Sequence, residues 1–393
     1  MLGLDATARV LFRTALAIFV VTIVIGILNG MDVWNPSHEA LLTHVHSGTL
    51  GWITLSVVGS AFLMLGQGVS EDEERSARRI GIITAAVVGL YVIAFLAGTG
   101  IYRPITGTLM LLAIVWVISW VWARYRTSSR TVSQLAILLA TISLGIGAVL
   151  GVLLGLFIAQ GSLPGLSNET ASSLAGAHPP AMLIGYLILA GVAVTEWLLE
   201  GPEGRSGRIV AWSLFGSGIL INISFIFEID ALVQIASALE VVAVVMFIVR
   251  MWSRLKPASW GTGDGQDFAR MSVVFLAVGI GLLVYLVQLF VSGQLDPETG
   301  EGPVGVLLAF DHTMFIGVMT NALFAVAQRL SGVRANPAVL WGVNGGLVIF
   351  LVGLVADSAL LKRIGAPIMG AALLFAVYWF FRQLMVRRPL APA

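Results

Sequence analysis

The sequence predicts an all-α protein that crosses a membrane about twelve times, and three observations carry that expectation. Of 393 residues, 58% are hydrophobic and only 11% are charged, with a mean hydropathy of +0.95. A soluble domain carries about 25% charged residues, so this chain has too few to cover a water-facing surface of its size. The apolar residues fall into runs long enough to span hydrocarbon, which takes about 20 residues per helix. Lys and Arg concentrate in every second connection.

The runs lie near 8–29, 40–66, 80–99, 104–124, 133–159, 174–197, 209–228, 231–250, 271–292, 303–328, 338–357 and 364–382. The first lacks a small-residue cleavage site and reads as a retained span. Connections are short. The longest, around 251–270, carries Pro257 and the stretch GTGDGQD. No segment is long enough for a separate soluble domain, so 1–393 reads as a single transmembrane unit. The cluster Glu71–Arg79 reads most simply as a solvated loop.

Orientation follows from the basic residues, which favour cytoplasmic loops. Arg9, Arg13, Arg75, Arg78, Arg79, Arg124, Arg126, Arg130, Arg205, Arg208, Arg250, Arg254, Lys256, Arg270, Arg329, Arg334, Arg382, Arg387 and Arg388 share one side, and only Arg103, Lys362 and Arg363 fall on the other. Both termini are therefore expected in the cytoplasm. Acidic residues such as Asp32, Glu169, Glu228, Asp230, Asp296, Glu298 and Glu301 populate the outer loops. A net charge of +1 argues against a nucleic-acid partner, and the absence of cysteine excludes thiolate chemistry, iron–sulfur clusters and Cys-ligated zinc.

Only five histidines are present: His38, His44, His46, His178 and His312. The last four lie near the outer beginnings of helices 2, 6 and 10. His44, His178 and His312 are spaced by 134 and 134 residues, with four helices between each and the next. His44 is followed by Gly51-Trp52 and His178 by Gly185-Tyr186 at the same offset, whereas Gly317 follows His312 at plus five. Spacing, depth and direction together suggest three four-helix repeats, roughly 1–130, 131–265 and 266–393. One intramembrane histidine is ordinarily satisfied by a neighbouring carbonyl, but four at one level read as a site. Nearly pure imidazole suits haem iron or copper, and suits calcium or magnesium poorly.

These features resemble the catalytic subunit I of the haem–copper oxidase superfamily, which includes cytochrome c oxidases and nitric oxide reductases. Its twelve helices form three arcs of four. His178-Pro179-Pro180-Ala181-Met182 resembles the oxidase His-Pro-x-x-Tyr, whose histidine binds copper. Phe310-Asp311-His312 resembles the His-x-His that holds the high-spin and low-spin haems in turn. His44-Val45-His46 overlies the other low-spin ligand, with either histidine a match, and Lys362-Arg363 resembles the pair that binds haem propionates. The departures are equally specific. Helix 7 has no histidine, Met182 replaces the tyrosine, and Phe310 stands at the high-spin ligand position.

The resemblance thus implies a divergent member with a bis-histidine haem b and no copper or oxygen-reducing centre, engaged in respiratory-type electron transfer. Partner subunits or an outer-side soluble carrier would exchange electrons with it, in the inner cell membrane with the haem end outward. If it is an enzyme, it is an oxidoreductase. Residues two apart on a helix diverge by about 200°, so His44 and His46 would serve separate slots, one shared with helix 10 and one with helix 6. One haem is expected, and a second can be reached through His178. Arg103, Lys362 and Arg363 are the cations available to propionates, or else snorkel to headgroups. Two further readings stand beside this one: a nitric oxide- or oxygen-binding reductase or sensor with its gas site at His178, and a copper-handling or transport protein without haem. Asp311 reads as a hydrogen-bonding neighbour or an interface carboxylate. Glu240, in the middle of helix 8, reads as a proton relay or a neutral acid bonded to a polar neighbour. Trp34, Trp52 and Trp341 are assigned to membrane boundaries or packing surfaces, and Gly145, Gly147, Gly151 and Gly155 to close helix packing.

Overall fold

The computed structural model describes residues 4–98, 100–163, 165–256, 260–261, 265–295, 302–334 and 336–386. Pro257, Asp296, Glu298, Glu301, Arg387 and Arg388 lie outside them, as does the side chain of Asp230.

Twelve apolar helices are long enough to cross a membrane: α1 (Leu4–Gly30), α2 (His38–Leu65), α3 (Glu71–Leu96), α4 (Tyr102–Thr127), α5 (Val132–Gln160), α6 (Asn168–Leu198), α7 (Arg205–Phe227), α8 (Ala231–Arg254), α9 (Asp267–Val291), α10 (Val304–Ser331), α11 (Pro337–Val355) and α12 (Ala359–Met385). Each contains one of the twelve predicted runs or overlaps most of it. The protein is a polytopic membrane protein.

Two starts differ from the hydropathy boundaries, and both have a local cause. Glu71–Arg79 is not a loop but the opening of α3. Ser70 and Glu73 form a reciprocal capping box, and Glu71, Asp72, Glu73 and Glu74 crowd the first turn. Capping satisfies orphan N–H groups, and carboxylates at the N-terminus complement the helix dipole, so the helix begins before its apolar part. Lys362 and Arg363, which precede the run 364–382 and would by hydropathy lie between helices 11 and 12, are helical as well. They sit in α12, whose first turn is capped by the Ser358 side chain accepting from Leu361 N.

The helices close into a ring around a centre. Neighbours in sequence pack side by side, and α1 packs against α12 to complete the circuit. The most apolar stretches of α2, α6 and α10 are 94, 78 and 67% buried, against 33–56% for the other nine. These three helices touch one another in the middle, each backed by the helices that precede it.

Small residues allow this density, as is usual where no hydrophobic force drives helices together in lipid. On α5, Gly145 lies against Ile118, Gly147 against Met182, Gly151 against His178 and Gly155 against Pro104. Between α6 and α7, a Cβ on Gly218 would fall 2.6 Å from the Gly185 Cα. At the arginine-rich end, buried charges tie helices to each other. Arg250 of α8 pairs with Glu196 of α6. Arg124 of α4 donates to the Glu73 carboxylate at 2.9 Å and to the carbonyls of Leu65 and Gln67.

Gly218→Ala should therefore force α6 and α7 apart at a backbone contact that cannot yield, costing about 1–3 kcal/mol as overpacking does. Gly89→Ala, where an added Cβ meets nothing within 4 Å, should be neutral. Thermal unfolding in detergent checks both; equal midpoints for the two variants would contradict the packing described.

Candidate functional site

Immediately after the histidines, all three central helices widen into π-helix. The eight-residue segments are Ser47–Thr54, Ala181–Ile188 and Thr313–Thr320. Such segments are rare and concentrate at functional sites. They also fix the register between repeats. Their starts are 134 and 132 residues apart, so the equal spacing of His44, His178 and His312 is misleading at its last step. In this register Gly51, Gly185 and Gly317 are equivalent. His44 and His178 share a position with Phe310, and His46 shares one with Pro180 and His312.

Every histidine ring at this level is tethered through Nδ1 to a backbone carbonyl. His44 bonds the Thr22 carbonyl of α1 at 2.8 Å, and His178 bonds the Gly147 carbonyl of α5 at 2.9 Å. His46 and His312 instead bond the carbonyl four residues back in their own helices, Leu42 at 2.8 Å and Leu308 at 2.7 Å. A carbonyl only accepts, so Nδ1 carries the proton and Nε2 holds its lone pair free for a ligand. The two tether types follow the register: His44 and His178 reach to the preceding outer helix, while His46 and His312 reach back along their own.

Glycines make room for the reaching pair. A Cβ at Gly26 would fall 2.9 Å from His44 Cε1, and one at Gly151 would fall 2.8 Å from His178 Cε1. Each glycine lies one turn beyond the carbonyl that its histidine bonds, so α1 and α5 present the same cradle.

Across the interfaces the histidines meet in pairs, one of each tether type. His178 and His46 lie across α6 and α2 with ring centroids 6.5 Å apart and planes within 7° of parallel. His44 and His312 come within electrostatic reach across α2 and α10. The edge of Phe350 of α11 packs on His312, with centroids 5.1 Å apart. Deeper in the same two interfaces, the pattern repeats as hydrogen bonds. Trp52 Nε1 of α2 donates to Thr320 Oγ1 of α10 at 3.0 Å, and Tyr186 OH of α6 donates to Thr54 Oγ1 of α2 at 3.2 Å. The third interface, α10 with α6, differs in both layers. Its equivalent positions are Phe310 and Pro180 at the histidine level and Val318 and Ile188 below.

The four rings are half-buried, although α2 is almost wholly buried from Ser47 onward. Exposure thus rises at the histidine level. No group of three or more His, Cys, Asp or Glu side chains among the described residues can hold a bare metal ion. Each pair offers two imidazoles, enough for the axial positions of a planar cofactor that brings its own equatorial donors.

The three cations of the histidine end differ in state. Arg363 pairs with Asp32 at 3.0 Å and Lys362 with Asp357 at 3.1 Å, both at the surface. Arg103 is buried, lies 4.6 Å from the centre of the Phe95 ring, and leaves Nε unpartnered. His38 is exposed, apart from the pairs. Asp311 is half-buried beside His312. Glu240 is buried between α7 and α8, one carboxylate oxygen 3.4 Å from Ser217 Oγ and the other unpartnered, which adds no histidine to the site. Trp52 is a core residue, 1% exposed, unlike the exposed Trp34 and Trp341. Its role was open in the sequence, where a tryptophan eight residues beyond His44 carries no partner information.

No protein-family model matches the chain, and no curated protein is detectably similar to it.

Trp52→Phe and Tyr186→Phe each delete one buried interhelical hydrogen bond and should each cost about 1 kcal/mol. Trp341→Phe, at an exposed position, should leave the unfolding midpoint unchanged. Thermal-shift measurements on the three variants decide this, and unchanged stability in both core variants would count against the two-layer arrangement.

Proposed function

We propose that this chain is a haem b-binding membrane protein of the haem–copper oxidase subunit I type, passing electrons through a low-spin haem held by His44 and His312. The reading is supported by the tethers that leave Nε2 of both histidines for a ligand, and by their coming within electrostatic reach, 268 residues apart in sequence, across the interface where the first and last four-helix groups close. Between the two ligand choices of helix 2, the pairing favours His44 for this slot. The residues fit such a group: both Nδ1 atoms are tied down, both Nε2 atoms are left for iron, and Gly26 leaves room for the His44 ring.

A haem held by His44 and His312 would supply one-electron transfer. The chain's part is to hold the two imidazoles in one tautomer and orientation, and to exclude water by packing Phe350 beside them. Tethering of this kind also raises the basicity of a ligating imidazole. Lys362 and Arg363, at the rim of α12, are the cations closest in sequence logic to a propionate role, and each would exchange its present carboxylate partner to fill it.

Phe310 and Met182, together with the absence of histidine from α7, provide no ligands for a high-spin haem or its copper, in keeping with electron transfer rather than oxygen reduction. A gas-binding site at His178 loses its main support, because His46 lies across from it. The arginine-rich ends of the helices favour a cytoplasmic assignment for that side, and in this reading the histidine level faces outward from an inner cell membrane. A soluble carrier or partner subunit would dock there.

A reduced-minus-oxidised spectrum and a pyridine haemochrome assay test the proposal. The purified protein should be red with a b-type α band, and His312→Ala should lose a low-spin component or convert it to high spin. A colourless protein from haem-replete cells, or copper bound in place of haem, would overturn the reading and return the histidines to a copper or transport role.

A further inference from the structure

We infer that the chain carries a second, separate tetrapyrrole site between α2 and α6, with His46 and His178 as its axial ligands and Arg103 as the anchor for an anionic side chain of the cofactor. This rests on the haem reading of the α2–α10 interface for the class of ligand, but on different residues and different observations.

The first observation is the geometry of the two rings. A centroid separation of 6.5 Å with planes 7° apart is too wide for a hydrogen bond between the imidazoles. Two metal–imidazole bonds of about 2 Å each, added to the distance from each nitrogen to its ring centre, span a gap of this size. The nearly parallel planes also let the two rings bind one group in a common orientation. Both rings are held there from behind, His46 by the Leu42 carbonyl and His178 by the Gly147 carbonyl.

The second observation is the wall of the slot. The Phe95 ring of α3 lies on His46, with centroids 4.0 Å apart and planes 22° apart, and Tyr91 packs edge-on to the same imidazole. On the other side Gly151 keeps α5 clear of His178, where a Cβ would intrude to 2.8 Å. Phe95 thus packs on one imidazole and Gly151 makes room for the other.

The third observation is Arg103. It is 6% exposed, and one terminal nitrogen donates to the Phe95 carbonyl at 3.3 Å. Its Nε is buried with no partner. Among the described residues it has no ion pair within 4 Å, though it is within electrostatic reach of Glu39 and of His46. A guanidinium buried at the edge of a membrane protein calls for an anion or a hydrogen-bond acceptor. Unlike Lys362 and Arg363, it has no carboxylate oxygen within 4 Å among the described residues. A carboxylate on a planar cofactor seated between His46 and His178 would supply the missing acceptor. A bare metal ion would not, because two imidazoles without further ligands fall short of the four that zinc takes.

Haem stoichiometry and spectra on full-length protein separate the two sites. The wild type should bind two haems per chain. His178→Ala should bind one, retaining the low-spin haem that His312→Ala removes, and the retained haem reports that the variant has folded. Added imidazole should restore the lost low-spin signal in His178→Ala, which mere loss of stability would not allow. Gly151→Val should reduce occupancy of this site alone. Arg103→Leu should lower the reduction midpoint of the second haem and leave the first in place. One haem per chain, sensitive to His312→Ala and indifferent to His178→Ala, would overturn this inference and leave the first reading standing. One haem with the opposite sensitivity would do the reverse. No haem, or bound copper without a Soret band, would overturn both.

Discussion

The bond from each histidine Nδ1 to a backbone carbonyl is the interaction on which the rest of the site depends. An imidazole surrounded by apolar side chains has to satisfy its N–H locally, since no water competes for it. Doing so sets the tautomer, turns the ring and leaves Nε2 as the one free polar atom. Two of these carbonyls, on Thr22 and Gly147, belong to the outer helices α1 and α5. Those helices must therefore approach α2 and α6 closely, and Gly26 and Gly151 are where they do so. Ring orientation, helix spacing and the choice of glycine are consequences of one requirement.

The π segments solve a second geometric problem. Residues eight apart on a regular α-helix drift by about 80° around its axis, so a residue at the histidine level and one two turns deeper would not face the same neighbour. Wider turns absorb that drift. His44 and Trp52 both face α10, and His178 and Tyr186 both face α2. The same three-helix centre then repeats one contact pattern around its axis, polar at two interfaces and apolar at the third. The apolar seam, with Phe310, Pro180, Val318 and Ile188 in the equivalent positions, is as much a part of the pattern as the other two.

Much of this was legible in the residues. Twelve apolar runs give twelve helices, and the four histidines come together near one level of α2, α6 and α10 as their positions in the runs suggest, because hydropathy is a strong one-dimensional signal. The divergence of His44 and His46 to separate neighbours follows from helical geometry alone. What stayed hidden has specific causes. A π segment changes no residue type, so the 132-residue step between α6 and α10 is invisible beside the 134-residue coincidence of the histidines. Partner choice is a property of the closed ring, so neither the tethers nor the Trp52–Thr320 bond can be read from local sequence. Hydropathy ends a helix where charge begins, whereas the capping box at Ser70 starts α3 within its charged residues. Arg103, Lys362 and Arg363 look alike as letters, and only burial separates the first from two surface ion pairs.

The depth of the two histidine pairs has one more consequence. In register they sit at the same level of the three central helices, near one end of each. Any charge handed from one pair to the other moves along the plane of the bilayer rather than through it. Carrying an elementary charge across a membrane is worth about 2.3 kcal/mol for every 100 mV, but travel within a single level intersects almost none of that drop. Exchange between haems held by the two pairs, as proposed above, would thus be electrically silent: the membrane voltage would neither drive it nor be charged by it.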